Sequence, residues 1–232
     1  MRLRHSGALV GAALLLAACS GGTGSSSAKL ETDNQKASYG IGLDMGRNLK
    51  PAKDSLDMDA LRRGLDDALA GREPALSQDE IQTSLQAFSQ AVMAAQQAER
   101  TAQGDKNKSE GEAYLAQNGA KEGVTTTDSG LQYEVLQDGD GPTPSADDTV
   151  ELHYKGTLID GTVFDSSLDG DPAEFPVSGL IPGFSEALQL MPVGSKYRVV
   201  IPSDLAYGSQ GAGGDIGPNA TLVFEIELLS IK

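Results

Sequence analysis

The 232-residue sequence predicts an all-α N-terminal region, a long connecting helix, and a C-terminal α+β domain in which an antiparallel sheet packs on one short helix. Three observations carry this reading. Between Lys36 and Ala95, apolar residues recur at helical spacing. After Gly123 they alternate with polar residues at a period of two, and Asp-Gly turns separate the runs. Between these regions, Glu99 to Glu112 has no apolar stripe at all.

Residues 1–18 predict a signal peptide. Arg2 and Arg4 form a basic start, and the apolar run that follows, through Ala18, is too short to span a bilayer as a stable helix. Leu16-Ala17-Ala18-Cys19 resembles the lipobox of bacterial lipoproteins. That resemblance implies cleavage before Cys19, its lipidation, and a membrane anchor in the bacterial cell envelope, where several acyl chains give lasting attachment. Ser20 after the cysteine implies, by the same resemblance, sorting to the outer membrane, facing the periplasm or the surface. The alternative is a plain secreted protein with a cysteine near its cleavage site. Cys19 is the only cysteine, so once acylated it leaves no thiol for a disulfide. Residues 19–35 then comprise the lipidated cysteine and a flexible tether, in which Ser20 to Ser27 reads SGGTGSSS.

Residues 36–76 read as a helical domain. Lys36 to Leu49 carries Ile41, Leu43, Met45 and Leu49, with Pro51 just beyond. A second helix follows Asp57, with Met58, Leu61, Leu65, Ala68 and Leu69 on its apolar positions and Gly71 as the stop. Ser77-Gln78-Asp79-Glu80 matches a capping box and opens the connecting helix of residues 77–122. Ile81, Leu85, Phe88, Val92 and Ala95 follow at spacings of four, three, four and three, the seam of two packed helices. A continuous helix from Ser77 to Gln117 would be ~60 Å long at ~1.5 Å per residue. Its polar stretch reads as a solvated rod linking two bodies, with Gly104 and Gly111 marking a bend.

Residues 123–232 read as the sheet domain. Leu131 to Leu136, Val150 to Tyr154, Lys196 to Ile201 and Thr221 to Leu228 are the expected strands, and Leu222, Phe224, Ile226 and Leu228 share one face. Turns fall at Asp138 to Gly141, Asp160-Gly161 and Asp169-Gly170, and one short helix fits near Phe184 to Leu190.

Composition excludes several function classes. A net charge of −15 argues against nucleic acid as a partner and against electrostatic docking on anionic lipid. Outside the leader the only histidine is His153, and no histidine pair, CxxC, phosphate loop or dinucleotide fingerprint is present, so no metal or cofactor is expected.

What stands out is a set of aromatic and aliphatic residues beside turns. Val150 to Gly156 leads into Asp160-Gly161-Thr162-Val163-Phe164-Asp165-Ser166-Ser167. Leu180-Ile181-Pro182-Gly183-Phe184, Pro192-Val193-Gly194-Ser195, Asp204-Leu205-Ala206-Tyr207-Gly208 and Ile216 to Phe224 follow. By themselves Tyr154 and Phe224 read more readily as the core of a barrel, and Asp165 can be read as a turn residue. Six blocks in this order and at this spacing, however, resemble the FKBP family of prolyl isomerases over Leu131 to Lys232. The upstream half, with Tyr39-Gly40-Ile41-Gly42, its helices and its long connector, is similar to the macrophage infectivity potentiator and FkpA group of that family.

The resemblance implies an FKBP-like curled sheet around the short helix and a homodimer formed by intertwined N-terminal helices. It implies a catalytic pocket of Tyr154, Phe164, Asp165, Ile181, Phe184, Tyr207 and Phe224, with Leu180 and Ile216 binding substrate. It further implies that the Tyr207 hydroxyl and the Ile181 backbone N–H orient the substrate, and that macrolides such as rapamycin bind the pocket. This chain departs from the family pattern in having Phe184 at a floor position that is most often Trp, and Ala173 where many members have a wall aromatic. The loop Gly211 to Asp215 is also more glycine-rich than usual.

Such residues suit the chemistry. Twisting an X-Pro amide breaks its resonance against a barrier of about 18–20 kcal/mol, yet no bond to the protein need form. The planar amide is the more polar form, so a dry aromatic cup disfavours it relative to the twisted one. The expected substrates are proline-containing unfolded or partly folded polypeptides of the envelope. A holdase chaperone or a surface interaction protein, with isomerisation secondary, is the alternative.

Overall fold

The computed structural model describes residues 28–232, so the predicted signal peptide, Cys19 and the run Ser20 to Ser27 lie outside the described residues. The chain divides into two compact units, the first ending at Asp54 and the second running from Ser55 to Lys232.

In the first unit, helix α1 (Asp33–Leu49) begins three residues ahead of the predicted start at Lys36. The reason is a capping box at Thr32. Its hydroxyl accepts from the Gln35 N–H at 3.3 Å, and Gln35 Oε1 accepts from the Thr32 N–H at 3.0 Å. Tyr39, Ile41, Leu43 and Met45 are exposed along this helix.

In the second unit, α2 (Met58–Leu69) is capped by Asp57, whose carboxylate accepts from the N–H groups of Asp59 and Ala60. Helix α3 (Gln78–Gly119) opens on the predicted box of Ser77 and Glu80 and continues unbroken for 42 residues. Among the described residues no helix is long and apolar enough to cross a membrane.

The second half of α3 runs unbroken through Gly104 and Gly111 and is not solvated all round. Arg100, Gly104, Asn107, Gly111, Tyr114 and Asn118 follow one another at spacings of four, three, four, three and four, one face of the helix. Gly104, Gly111 and Asn118 on that face are buried. A Cβ at Gly111 would collide with Thr221 Oγ1, so only glycine lets the backbone approach so closely. At the C-terminal end, buried Asn118 donates to Gln132 Oε1 at 3.0 Å and accepts from Lys121 and Arg198. Arg198 also donates to the Tyr114 hydroxyl at 2.7 Å, and Gln132 donates to the Leu115 carbonyl. Polar groups thus fix this face to the sheet, each buried one with a partner. A search for large apolar side chains overlooks it.

Seven antiparallel strands among the described residues form the sheet: β1 (Val124–Thr126), β2 (Gln132–Gln137), β3 (Thr149–Leu158), β4 (Val163–Ser166), β5 (Ala173–Pro176), β6 (Lys196–Ile201) and β7 (Leu222–Ile231). The order is β1-β2-β6-β7-β3-β4, with β5 also on β3. Alternation predicted β2, β3 and β7, and β6 is the further strand candidate at Lys196 to Ile201. The three- and four-residue strands β1, β4 and β5 carry too few residues to show a period. They exist because longer neighbours pair with them, as β3 does with both β4 and β5.

Helix α4 (Pro182–Leu188) starts two residues before the predicted Phe184, since proline suits the first helical position, where its missing N–H leaves no bond unmade. It buries Phe184, Ala187 and Leu188 against Leu152, Val199, Ile201, Leu222, Phe224, Ile226 and Leu228 of the sheet. The core of the domain therefore lies between α4 and the concave side of a curled antiparallel sheet.

Candidate active site

Strand β3 sets the site. Leu152 is buried, Tyr154 lies next on the same face and Gly156 beyond it, while His153 takes the other face with its Nδ1 3.1 Å from Ser167 Oγ. Ser167 holds Tyr154 at both ends of its peptide unit. The Ser167 N–H donates to the Tyr154 carbonyl at 3.0 Å, and the Tyr154 N–H donates to Ser167 Oγ at 2.9 Å.

Four rings then meet edge to face. Phe184 on α4 stands at 5.0 Å and 87° to Phe224 on β7, and Phe164 on β4 stands at 5.6 Å and 84° to Phe224. Tyr154 meets Phe184 at 6.3 Å and 90°. Such T-shaped pairs place a positive ring edge against a negative ring face, and each pair adds about 0.5–1.5 kcal/mol beyond area burial. Phe184 and Phe224 are buried, and Tyr154 and Phe164 are half-buried. A Cβ at Gly156 would lie 2.6 Å from the Phe164 ring and 2.8 Å from that of Phe224, so glycine is what lets these two rings close over the strand.

At the open side the Tyr154 hydroxyl donates to Asp165 Oδ2 at 2.6 Å, while Asp165 Oδ1 accepts from the Ser166 N–H at 2.9 Å. Burial, the hydrogen bond to Asp165 and its charge, and the neighbouring Tyr207 together push the Tyr154 phenol well above its ordinary range. Tyr154 consequently remains a neutral donor, neither a base nor a nucleophile, at any physiological pH.

Leu180 and Ile181, both half-buried, lead into α4. The Ile181 carbonyl accepts from the N–H groups of Phe184 and Ser185, but its own N–H meets no acceptor among the described residues. Tyr207 is 40% exposed, and its hydroxyl likewise has no intramolecular partner among them. Ile216 is buried in the same apolar cluster as Phe184 and Phe224 and closes a short bridge with Ala212.

The fold thus brings Tyr154, Phe164, Asp165, Phe184 and Phe224 into one set of direct contacts, with Leu180, Ile181 and Ile216 packed on the same cluster. Sequence reasoning missed Phe175 on β5, which meets Tyr154 edge to face at 5.9 Å, because that strand is only four residues long. It also missed Ser167, whose role is visible only once β3 and the turn after β4 are paired.

Comparison with known proteins identifies the family. Residues 34–135 match the family model described as the domain amino terminal to FKBP-type peptidyl-prolyl isomerase, and residues 141–229 match that of FKBP-type peptidyl-prolyl cis-trans isomerase. The chain is 48% identical to the FKBP-type 22 kDa peptidyl-prolyl cis-trans isomerase of Escherichia coli strain K12, over 87% of this chain and 97% of that protein. It is 44% identical to the outer membrane protein MIP of Legionella longbeachae, over 88% of each. The crystal structure of FkpA from Escherichia coli superposes with a TM-score of 0.70 at 40% identity, covering 88% of this chain and 99% of that one. Both regions match the same family in order and relatives align along nearly their whole length, so this chain belongs to the FKBP-type peptidyl-prolyl cis-trans isomerases.

Proposed function

We propose that the enzyme isomerises X-Pro bonds in unfolded or partly folded polypeptides of the bacterial envelope, at the ring cluster of Tyr154, Phe164, Phe184 and Phe224. The observation that carries this is a cluster of edge-to-face rings accompanied by two unengaged donors, the Ile181 N–H and the Tyr207 hydroxyl. The proline ring enters the cup, with Leu180 and Ile216 beside it. The two donors hold the substrate carbonyls, and water is shut out from the amide. Loss of water raises the planar, charge-separated amide more than the twisted one, which lowers the climb between them. Asp165 holds the Tyr154 hydroxyl and presents a negative charge at the mouth. Ala173 leaves the wall on β5 open, which admits bulkier residues around the proline.

In this reading residues 123–232 are the isomerase domain, 77–122 the connecting helix and 36–76 the dimerisation domain. The exposed Tyr39, Ile41, Leu43 and Met45 of α1 favour pairing with a second copy, since apolar residues gathered on one short helix are otherwise costly to solvate. Lipidation of Cys19 tethers the dimer to the membrane; the name of the Legionella relative supports an outer-membrane site.

The test is a coupled isomerisation assay on a proline tetrapeptide. Tyr207→Ala and Asp165→Ala should lower kcat/KM, and saturating rapamycin should abolish turnover by the parent enzyme. Unchanged turnover in both variants and with rapamycin would overturn the assignment of this cup. Sedimentation of the chain as a monomer, or recovery of the parent in the soluble fraction at the level of Cys19→Ala, would remove the dimer or the anchor respectively.

A further inference from the structure

The loop that carries Tyr207 and Ile216 rests on α3, a helix that lies outside the part of the chain matching the catalytic family model. Three ties hold it there. Asn107 Nδ2 donates to the Pro218 carbonyl at 2.7 Å, and its Oδ1 accepts from Gln103 Nε2 at 2.7 Å, which fixes the amide's orientation. Asn219 Nδ2 donates to the Gly104 carbonyl at 3.3 Å, and Arg100 donates to the Gln210 carbonyl at 2.8 Å. The fit is close: a Cβ at Gly217 would lie 2.9 Å from Asn107 Nδ2, and one at Gly104 would lie 3.2 Å from Asn219 Nδ2.

Within itself the loop has little to hold its shape. Its internal ties include the Ala212–Ile216 bridge and the Asn219 N–H donating to the Gly208 carbonyl at 2.8 Å, with Asn219 at a φ of 55°. Gly208, Gly211 and Gly213 also stand at positive φ, where glycine leaves the unfolded alternatives of the loop numerous. Besides the burial of Ile216 in the apolar cluster, the loop therefore draws support from outside itself, and Asn107 supplies it through the shortest of the three ties, beside Gly217.

From this we infer that Asn107 is a positioning residue for catalysis, acting through Pro218 and Gly217 on the loop that bears Ile216 and Tyr207. The inference rests on the assignment of those two residues to the substrate site. Asn107 touches no substrate. It raises the fraction of molecules whose loop is competent to bind, and apparent affinity scales with that fraction.

The test uses the full chain with four substitutions: Asn107→Ala, Asn219→Gly, Lys108→Ala on the exposed side of the same helix, and Tyr207→Ala as a report on the site itself. Asn219→Gly removes the second tie while accepting the positive φ without strain, and so serves if Asn107→Ala should fail to fold. The expected result is a rise in KM for a proline tetrapeptide of about three- to tenfold, the worth of one neutral hydrogen bond, at nearly constant kcat. Amide hydrogen exchange at Ala212 and Asn219 should accelerate in step, and Lys108→Ala should match the parent. A parental KM in Asn107→Ala and Asn219→Gly, or a fall in kcat alone that tracks loss of folded protein, overturns the positioning role while Tyr207→Ala still impairs binding. If Tyr207→Ala is silent too, the site assignment falls and takes this inference with it.

Discussion

The Tyr154 hydroxyl donates to Asp165 Oδ2 at 2.6 Å, a short bond from a neutral phenol to a carboxylate that is otherwise exposed. Hydrogen bonds to charged groups are worth about 1.5–3 kcal/mol, so either partner alone should matter. We expect Asp165→Ala and Tyr154→Phe each to lower kcat/KM by roughly ten- to a hundredfold on that scale. Since they remove the same bond, the double variant should be little worse than either single one. Fully additive losses in a double-mutant cycle on tetrapeptide isomerisation would show that the two side chains act separately.

Gly156→Ala tests the closure of the rings. Its methyl would have to displace both Phe164 and Phe224, which face each other at 84° across the strand. Overpacking of this kind destabilises by about 1–3 kcal/mol. Urea unfolding should register that loss, and isomerase activity should fall further than the stability change accounts for, because the displaced rings are those of the cup.

Phe184→Ala separates floor from scaffold. Phe184 is 4% exposed and contacts both Tyr154 and Phe224. Truncation should cost about 3–5 kcal/mol in unfolding free energy and leave a cavity in the cup. A thermal melt within a degree or two of the parent would mean that α4 does not rely on this ring.

Alkali should weaken the fold through Tyr154. Its phenol is raised in the folded state by burial first and by Asp165 second, whereas in the unfolded chain it titrates near the usual value of about 10. Below that value both states are protonated and the contribution is complete. As pH rises past about 10 the unfolded chain alone gives up its proton, so stability falls with pH. Tyr197, raised by burial and by its stacked partner Tyr133, adds to the same trend. Denaturant midpoints from about pH 8 to 11 should decline less steeply in Tyr154→Phe than in the parent, and identical slopes would remove Tyr154 from the account.

Much of this was legible from residue order. Three of the longer strands, β2, β3 and β7, declared themselves by alternation, as in Leu222, Phe224, Ile226 and Leu228, because one face of each meets the core more than the other. Ser77 and Glu80 declared the start of α3 because a cap is a local interaction. The rings were legible as a set only through the order of their blocks, since each ring alone reads as core. Phe175 and Ser167 were not legible, as β4 and β5 acquire their positions from pairing with β3. Nor was the docked face of α3. Its residues are Gly, Asn and Arg, and their part in packing comes from missing volume and directed amides, which a reading tuned to large apolar side chains passes over.

The absence of indole from the cup has a practical consequence. The chain contains no Trp, so its intrinsic ultraviolet emission comes from six tyrosines. Phe184→Trp would place a solitary fluorophore in the ring cluster, edge to face with Phe224 and Tyr154. Excited beyond the tyrosine band, that indole would be the only light source in the molecule, and its colour would register the arrival of a proline ring directly, with no coupled protease and no labelled peptide.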